Sequence, residues 1–322
     1  MIENYLNYAI INRMDIKQFF LNKPLILSPM AGVTDFAFRS LARKYGADLT
    51  ITEMVSAKAI AMNNEKTLDL LHILPNETPN CVQLFGHEPS ALIKACTHPE
   101  VQKFDIIDFN CGCPAPKIVN NGDGSAMMRD IENARACITA LVQNCGKPVS
   151  VKFRLGIDGV ENYLAFGKMC EECGVSFVTL HPRTREQGYS GVADYSAVKK
   201  LKNALSIPVV LSGDIVDENS LRRAKQTGAD GFMIGRATMG EPFIFNRLKN
   251  LPTPDPVSVA KEHLRLLLEY YTDERYVVPY FKKHLMWYTR GIHGANAMKK
   301  EMCLYTSLSQ IYSAFDALEK MK

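Results

Sequence analysis

The sequence predicts an α/β protein, a (β/α)8 TIM barrel followed by an all-helical C-terminal domain, on three observations. Over residues 1–245 a short apolar run, a turn and a helix-period stretch alternate, and the apolar runs number eight. A proline-dense stretch holding Pro252, Pro254 and Pro256 then breaks the chain, and beyond it only helical periodicity remains. Third, polar and ionisable side chains stand at the C-terminal end of nearly every run, where a barrel gathers its chemistry.

The strands are expected at residues 25–29, 49–52, 81–85, 106–110, 149–154, 177–181, 209–212 and 231–234. They are short and rich in Val, Ile and Leu, as strands buried on both faces must be. Helical patterns fall at 35–44, 89–97, 130–144, 160–173, 195–204 and 217–227. A doubly wound open sheet is the alternative, but no GxGxxG follows the first run. The prolines place an extended linker at 246–256. Helices are then expected at 257–271, 279–290, 295–306 and 309–321, within a C-terminal domain spanning 257–322.

Composition points to a globular enzyme: 47% of the residues are hydrophobic and 22% charged. No run approaches the roughly 18 apolar residues of a membrane span, and residues 1–20 lack the pattern of a secretory signal. Nine cysteines without framework spacing indicate reduced thiols and a cytoplasmic location. Cys170 and Cys173 have CxxC spacing, yet they fall in a helical pattern with no second pair, which favours a structural role. The net charge of +4 is unevenly placed. Residues 1–245 hold 26 basic and 26 acidic side chains, whereas residues 246–322 hold 12 and 8. A neutral catalytic body joined to a module that meets a polyanion would have this asymmetry.

The most informative stretch is Asn110-Cys111-Gly112-Cys113-Pro114, at the exit of the fourth run. Gly112 and Pro114 force a turn there, so that Cys113 is aimed into the pocket beyond the strand. Lys152 and Arg154 are two apart in one strand and share a face, putting two cations in the barrel mouth. The runs that end in Ser212-Gly213-Asp214 and Gly235-Arg236 are the seventh and eighth, whose loops form the usual phosphate site of such barrels. Arg236 would add a charge-assisted clamp. A phosphate site beside an interior cation suits flavin mononucleotide (FMN). His181 and Arg183, at the sixth exit, read as ligand contacts, and the turn cluster of residues 120–124 as a loop able to order over a substrate.

Together, Pro29-Met30-Ala31-Gly32-Val33-Thr34-Asp35, Gln83-Leu84-Phe85-Gly86, the Asn110 motif, Val151-Lys152-Phe153-Arg154-Leu155-Gly156, His181-Pro182-Arg183-Thr184 and Gly235-Arg236-Ala237 resemble the tRNA-dihydrouridine synthases, with a likeness to the bacterial B type. The resemblance implies an FMN-bound barrel that reduces a uridine of tRNA to 5,6-dihydrouridine with NADPH as electron source. It implies that Pro29, Met30 and Ala31 lie along the flavin and that Gln83 and Lys152 bond its ring. Ser212, Gly213, Asp214, Gly235 and Arg236 would hold the phosphate, His181 would lie near the flavin, and Cys113 would be the proton donor. Ser212 stands where the family usually has Asn, and Cys111 occupies a variable position.

The residue types agree with that chemistry. Hydride addition to C6 of uracil leaves C5 in need of a proton, and an ordinary thiol, with a pKa near 8.5, is mostly protonated at neutral pH. Asn110 could bond the uracil edge, with Arg154 and Arg183 as further substrate contacts. Between Arg275 and Lys300 the chain has six basic residues and no acidic one. Of these, Lys282, Lys283, Arg290, Lys299 and Lys300 are expected to meet tRNA phosphates, and the uridine must swing out of the folded tRNA to reach the mouth. No metal is expected, and a monomer is. Two rivals remain at this level: an FMN barrel acting on a free pyrimidine, like dihydroorotate dehydrogenase, and a non-catalytic tRNA-binding protein.

Overall fold

The structure, a computed structural model, describes residues 14–321, so part of the segment read for a leader, residues 1–13, lies outside it. Eight parallel strands close a barrel: β1 (Leu25–Leu27), β2 (Leu49–Ser56), β3 (Asn80–Phe85), β4 (Ile106–Cys111), β5 (Val149–Arg154), β8 (Phe177–His181), β9 (Val209–Ser212) and β10 (Gly231–Ile234). A small antiparallel hairpin, β6 (Gly156–Ile157) with β7 (Val160–Glu161), is inserted after β5. It takes up the start of the stretch expected to be helical from 160, and the helix runs from Tyr163 to Glu172. The fold is thus the expected TIM barrel. Among the described residues no helix is long and apolar enough to cross a membrane.

Alternation along the strands sorts the side chains. Leu25 and Leu27 join the outer core under the helices, whereas Ile26 joins Leu49, Ile51, Cys81, Ile106, Phe177, Val210 and Met233 inside the barrel. Phe20 stoppers the N-terminal end against Phe177, with ring centroids 5.1 Å apart. The floor is therefore sealed by apolar side chains, and polar chemistry is left to the other end. Strand β2 runs past the expected 52 to Ser56 because its pairing with β3 shifts register between Ile51 and Met54, an irregularity that lets the strand continue along the rim.

The C-terminal segment is helical, with revised ends. Pro279 lies inside the helix Glu274–Tyr288 rather than at its start. The expected helix at 295–306 is reduced to Lys299–Met302, preceded by turns entered through Gly291 and Gly294, both at positive φ. Helices Pro256–Tyr270 and Leu308–Glu319 complete the bundle. The expected linker overlaps the helix Ile244–Leu248. The bundle core also takes in Phe36, Ala37 and Leu41 of the barrel helix Phe36–Lys44, together with Phe243.

Polar contacts cross the same boundary: Tyr280 Oη donates to Glu53 at 2.8 Å, and Lys44 meets Glu262 at 2.7 Å. Asp35 Oδ1 accepts from the backbone of Phe38 at 2.8 Å, capping that barrel helix. Its carboxylate also faces His263 and His284 of the bundle at 3.4 and 3.3 Å. Gly240 is where the two backbones nearly touch. It has φ +78, and a Cβ there would lie 2.2 Å from the carbonyl oxygen of Trp287. Gly240→Ala should lower stability by more than the roughly 1–3 kcal/mol of backbone strain alone, read as a fall in denaturation midpoint at constant m-value.

Candidate active site

A cavity of about 1300 Å³ opens at the C-terminal ends of the strands. Pro29, Met30, Ala31, Gln83, Asn110, Cys113, Lys152, Arg154, His181, Ser212, Gly213, Asp214, Gly235, Arg236 and Arg290 all line it. Of the residues expected to meet cofactor or substrate, Arg183 does not. Arg183 is 1% exposed, with its guanidinium bonded to both oxygens of Asp214 at 2.7 and 2.9 Å and to the carbonyls of Ser190 and Gly191. A cation this deeply buried needs such partners; it fastens the loop after β8 to the loop after β9.

Arg183 also settles the state of His181. Its Nη1 lies 3.3 Å from His181 Nε2, and since arginine can only donate, Nε2 accepts and the imidazole proton sits on Nδ1. Burial first, and then the cations Lys152, Arg154, Arg183 and Arg236, push the pKa of His181 far down, so the ring is neutral. Arg154 lines the cavity but is committed as well. It donates to the carbonyls of Gly112 at 2.7 Å, Gly188 at 2.8 Å and Thr184 at 3.0 Å, tying the Cys113 loop to the loop after β8.

Lys152 differs. Among the described residues it has no carboxylate within ion-pair range and no hydrogen-bond acceptor. Burial, helped by Arg154 and opposed by Asp108, draws its pKa down to about 8. It is a cation of the cavity wall left without such a partner.

Cys113 is held from several sides. Asn110 Oδ1 accepts from the backbone N–H of Gly112 at 3.1 Å and of Cys113 at 2.9 Å. Ser125 Oγ donates to the Cys113 carbonyl at 2.8 Å. Gly124 has φ +60 and packs so closely that a Cβ would lie 2.9 Å from that carbonyl. The expected mobile cluster 120–124 is pinned by Asp123, which accepts from Asn121 at 2.7 Å and meets His87 at 2.8 Å. Cys111 is a packing thiol: it is fully buried in the outer core, and burial drives its pKa well up.

Residues 26–320 match the family model described as Dihydrouridine synthase (Dus). A probable tRNA-dihydrouridine synthase of Rickettsia conorii is 35% identical, over 94% of this chain and 97% of its own length. The tRNA-dihydrouridine synthase B of Pseudomonas aeruginosa is 36% identical, over 89% and 90%.

The chain belongs to the dihydrouridine synthase family.

Its barrel is also similar to solved structures at far lower identity. An old yellow enzyme homologue of Zymomonas mobilis shares 12% identity with a TM-score of 0.53, covering 74% of this chain and 91% of that one. A 2-naphthoyl-CoA reductase shares 10% with a TM-score of 0.56, covering 70% and 50%.

The cations expected to meet tRNA are divided. Arg290 stands at the mouth and is exposed, as is Lys300, with Lys299 half-buried beside it. Lys282 donates to the Cys303 carbonyl at 2.8 Å, and Lys283 sits 3.8 Å over the ring of Tyr280. Both are occupied within the bundle. Arg185 and Tyr189, not singled out from the sequence, line the mouth as well, and the Tyr189 ring lies 4.9 Å from the Arg236 guanidinium and 5.6 Å from that of Arg154.

Beneath the cavity lies Asp108, also missed, although an acid within the apolar run Ile106–Cys111 was a readable signal of a partnered interior charge. The CxxC pair stays unlinked, with Cys170 buried in its helix. Among the described residues one group brings three side chains of metal-ligating type within 4.8 Å of one another, namely Asp35, His263 and His284 between barrel and bundle.

Proposed function

We propose that this protein reduces a uridine of tRNA to 5,6-dihydrouridine, with FMN held in the barrel mouth, NADPH as reductant and Cys113 as proton donor. The observation that carries the reading is a thiol and an unpartnered ammonium, Cys113 and Lys152, lining one large cavity. A free interior cation is stable only if a negative group meets it or water reaches it, and a flavin ring becomes such a group on reduction. The glycine-bearing exits after β9 and β10 suit its phosphate. Gly235 opens a short helical turn, Arg236–Thr238, whose first N–H groups have no partner within the turn, and Arg236 reaches over the same loops. Because the Asp214 carboxylate is committed to Arg183, its backbone rather than its side chain would face the phosphate.

Pro29, Met30 and Ala31 would lie along the flavin, Gln83 and Lys152 would bond its ring, and neutral His181 would lie beside it. When bound and reduced, FMN supplies the hydride that saturates C6 of the uracil. The chain itself supplies the proton for C5. Among the described residues no carboxylate or imidazole bonds the Cys113 sulfur, so the thiol is arranged as an acid rather than as a base-activated nucleophile. Asn110 would orient the uracil, and Arg185, Arg236 and Arg290 would receive phosphates around the extruded nucleotide.

The test is incubation of the purified protein with FMN, NADPH and tRNA lacking the modification, followed by mass mapping. A gain of about two mass units at one uridine, the two hydrogens added, is the expected result; flavin-loaded protein without that product would overturn the reading. FMN affinity should also fall as pH rises past about 8, where Lys152 loses its charge. Lys152→Met should weaken binding and flatten that pH dependence, measured by fluorescence titration.

A further inference from the structure

We propose that Asp108 is a positioning residue for Cys113, acting through Gln83 and Asn110 to fix the turn that carries the thiol. Asp108 lies on β4 with its side chain inside the barrel, level with Gln83 on one side and Ser150 on the other. It is fully buried. One oxygen accepts from Ser150 Oγ at 2.6 Å and the other from Gln83 Nε2 at 2.7 Å. Gln83 Oε1 then accepts from Asn110 Nδ2 at 2.8 Å, and Asn110 Oδ1 accepts from the N–H of Cys113 at 2.9 Å. A single file of hydrogen bonds thus joins a buried carboxylate to the backbone of the reacting cysteine.

The ends of that file dictate its direction. An amide is ambiguous by itself, because its oxygen and nitrogen can exchange places. Here the two amides are bracketed between a carboxylate, which only accepts, and backbone N–H groups, which only donate. Gln83 must turn its nitrogen down and its oxygen up, and Asn110 must follow. Burial raises the Asp108 pKa to about 6 against the bonds from Ser150 and Gln83 and the charge of Lys152, so the acceptor is ionised at neutral pH. Without an acceptor at 108, Gln83 is free to flip, and Asn110 loses its reason to hold the turn.

The inference rests on Cys113 being the reacting thiol, but its test reads the thiol's geometry without turnover. Apo-protein is treated with iodoacetamide, and alkylation of each cysteine is followed by peptide mass. Cys303, exposed, is the reference, and the buried Cys81 and Cys111 report unfolding. Asp108→Ala should raise the Cys113 rate at least about threefold, the change expected from one lost hydrogen bond, with Cys303 unchanged and Cys81 and Cys111 silent. Asp108→Asn should restore the wild-type rate, because its oxygen can serve Gln83 while its amide donates to Ser150. Gln83→Leu should match Asp108→Ala. A wild-type Cys113 rate in folded Asp108→Ala overturns the proposal. If that variant exposes the buried thiols, Gln83→Leu decides: a raised rate supports the relay and an unchanged one overturns it. Failure of dihydrouridine formation would leave this result intact.

Discussion

Cys113→Ala is expected to lower dihydrouridine formation by at least about 100-fold, the low end for loss of a positioned general acid. FMN and tRNA should still bind, because the side chain removed is small and the turn beneath it is held by backbone bonds to Asn110 and Ser125. The measurement is single-turnover product formation with prereduced enzyme, beside separate binding titrations. Cys111→Ala is the control. That thiol lies in the outer core, so its loss should reduce stability and leave the rate intact. If both variants kept the wild-type rate, the proton would have to come from elsewhere.

Asp35→Ala should cost about 3–5 kcal/mol of stability, the range for removing one partner of a buried charged cluster. The carboxylate does two jobs: it caps the helix Phe36–Lys44 through Phe38, and it faces His263 and His284 of the bundle. Burial by itself would raise its pKa, but the two imidazoles prevail and hold it far below the usual carboxylate range. A depressed acid stabilises the fold above its unfolded pKa near 4, and that stabilisation is lost as pH falls further. His284 adds a separate window at higher pH. Burial and His263 lower its pKa to about 4, so below about 6.5 the unfolded chain takes up a proton that the folded protein refuses. Stability should therefore decline between pH 6.5 and about 4 through His284, and decline again below about 4 through Asp35. His284→Gln should flatten the upper part of that decline, read from urea midpoints across the pH series.

The strands were legible because burial on both faces leaves each as a short, mainly apolar run, and the cavity residues because a barrel displays them at the exits of those runs. What escaped was set by partners distant in sequence. Arg183 follows His181 at an exit and looks like a ligand contact, yet Asp214, in another loop, claims it. Lys282 and Lys283 belong to a basic stretch, but bundle packing gives one a carbonyl and the other an aromatic face. Pro279 looked like a helix start because proline favours that position; the helix instead begins at Glu274, capped by Asp273, and tolerates the proline in its second turn. Asp108 stood out among its apolar neighbours as an interior charge, but its partners Gln83 and Ser150 lie on other strands and only the fold brings them to it.

The helix Phe36–Lys44 contributes Phe38 and Ala42 to the barrel core and Phe36, Ala37 and Leu41 to the bundle core. A rod gripped on both sides acts as a calibrated spacer. Any surface the bundle offered to a folded RNA would then stand at a set offset and angle from Cys113. Selection among uridines by the proposed enzyme would then be a matter of measured reach: the nucleotide modified would be the one whose distance from the gripped part of the RNA equals the length of the gauge. Substitutions that thicken or thin this helix, at Ala37 or Ala42, would reset the gauge without touching a single residue of the cavity.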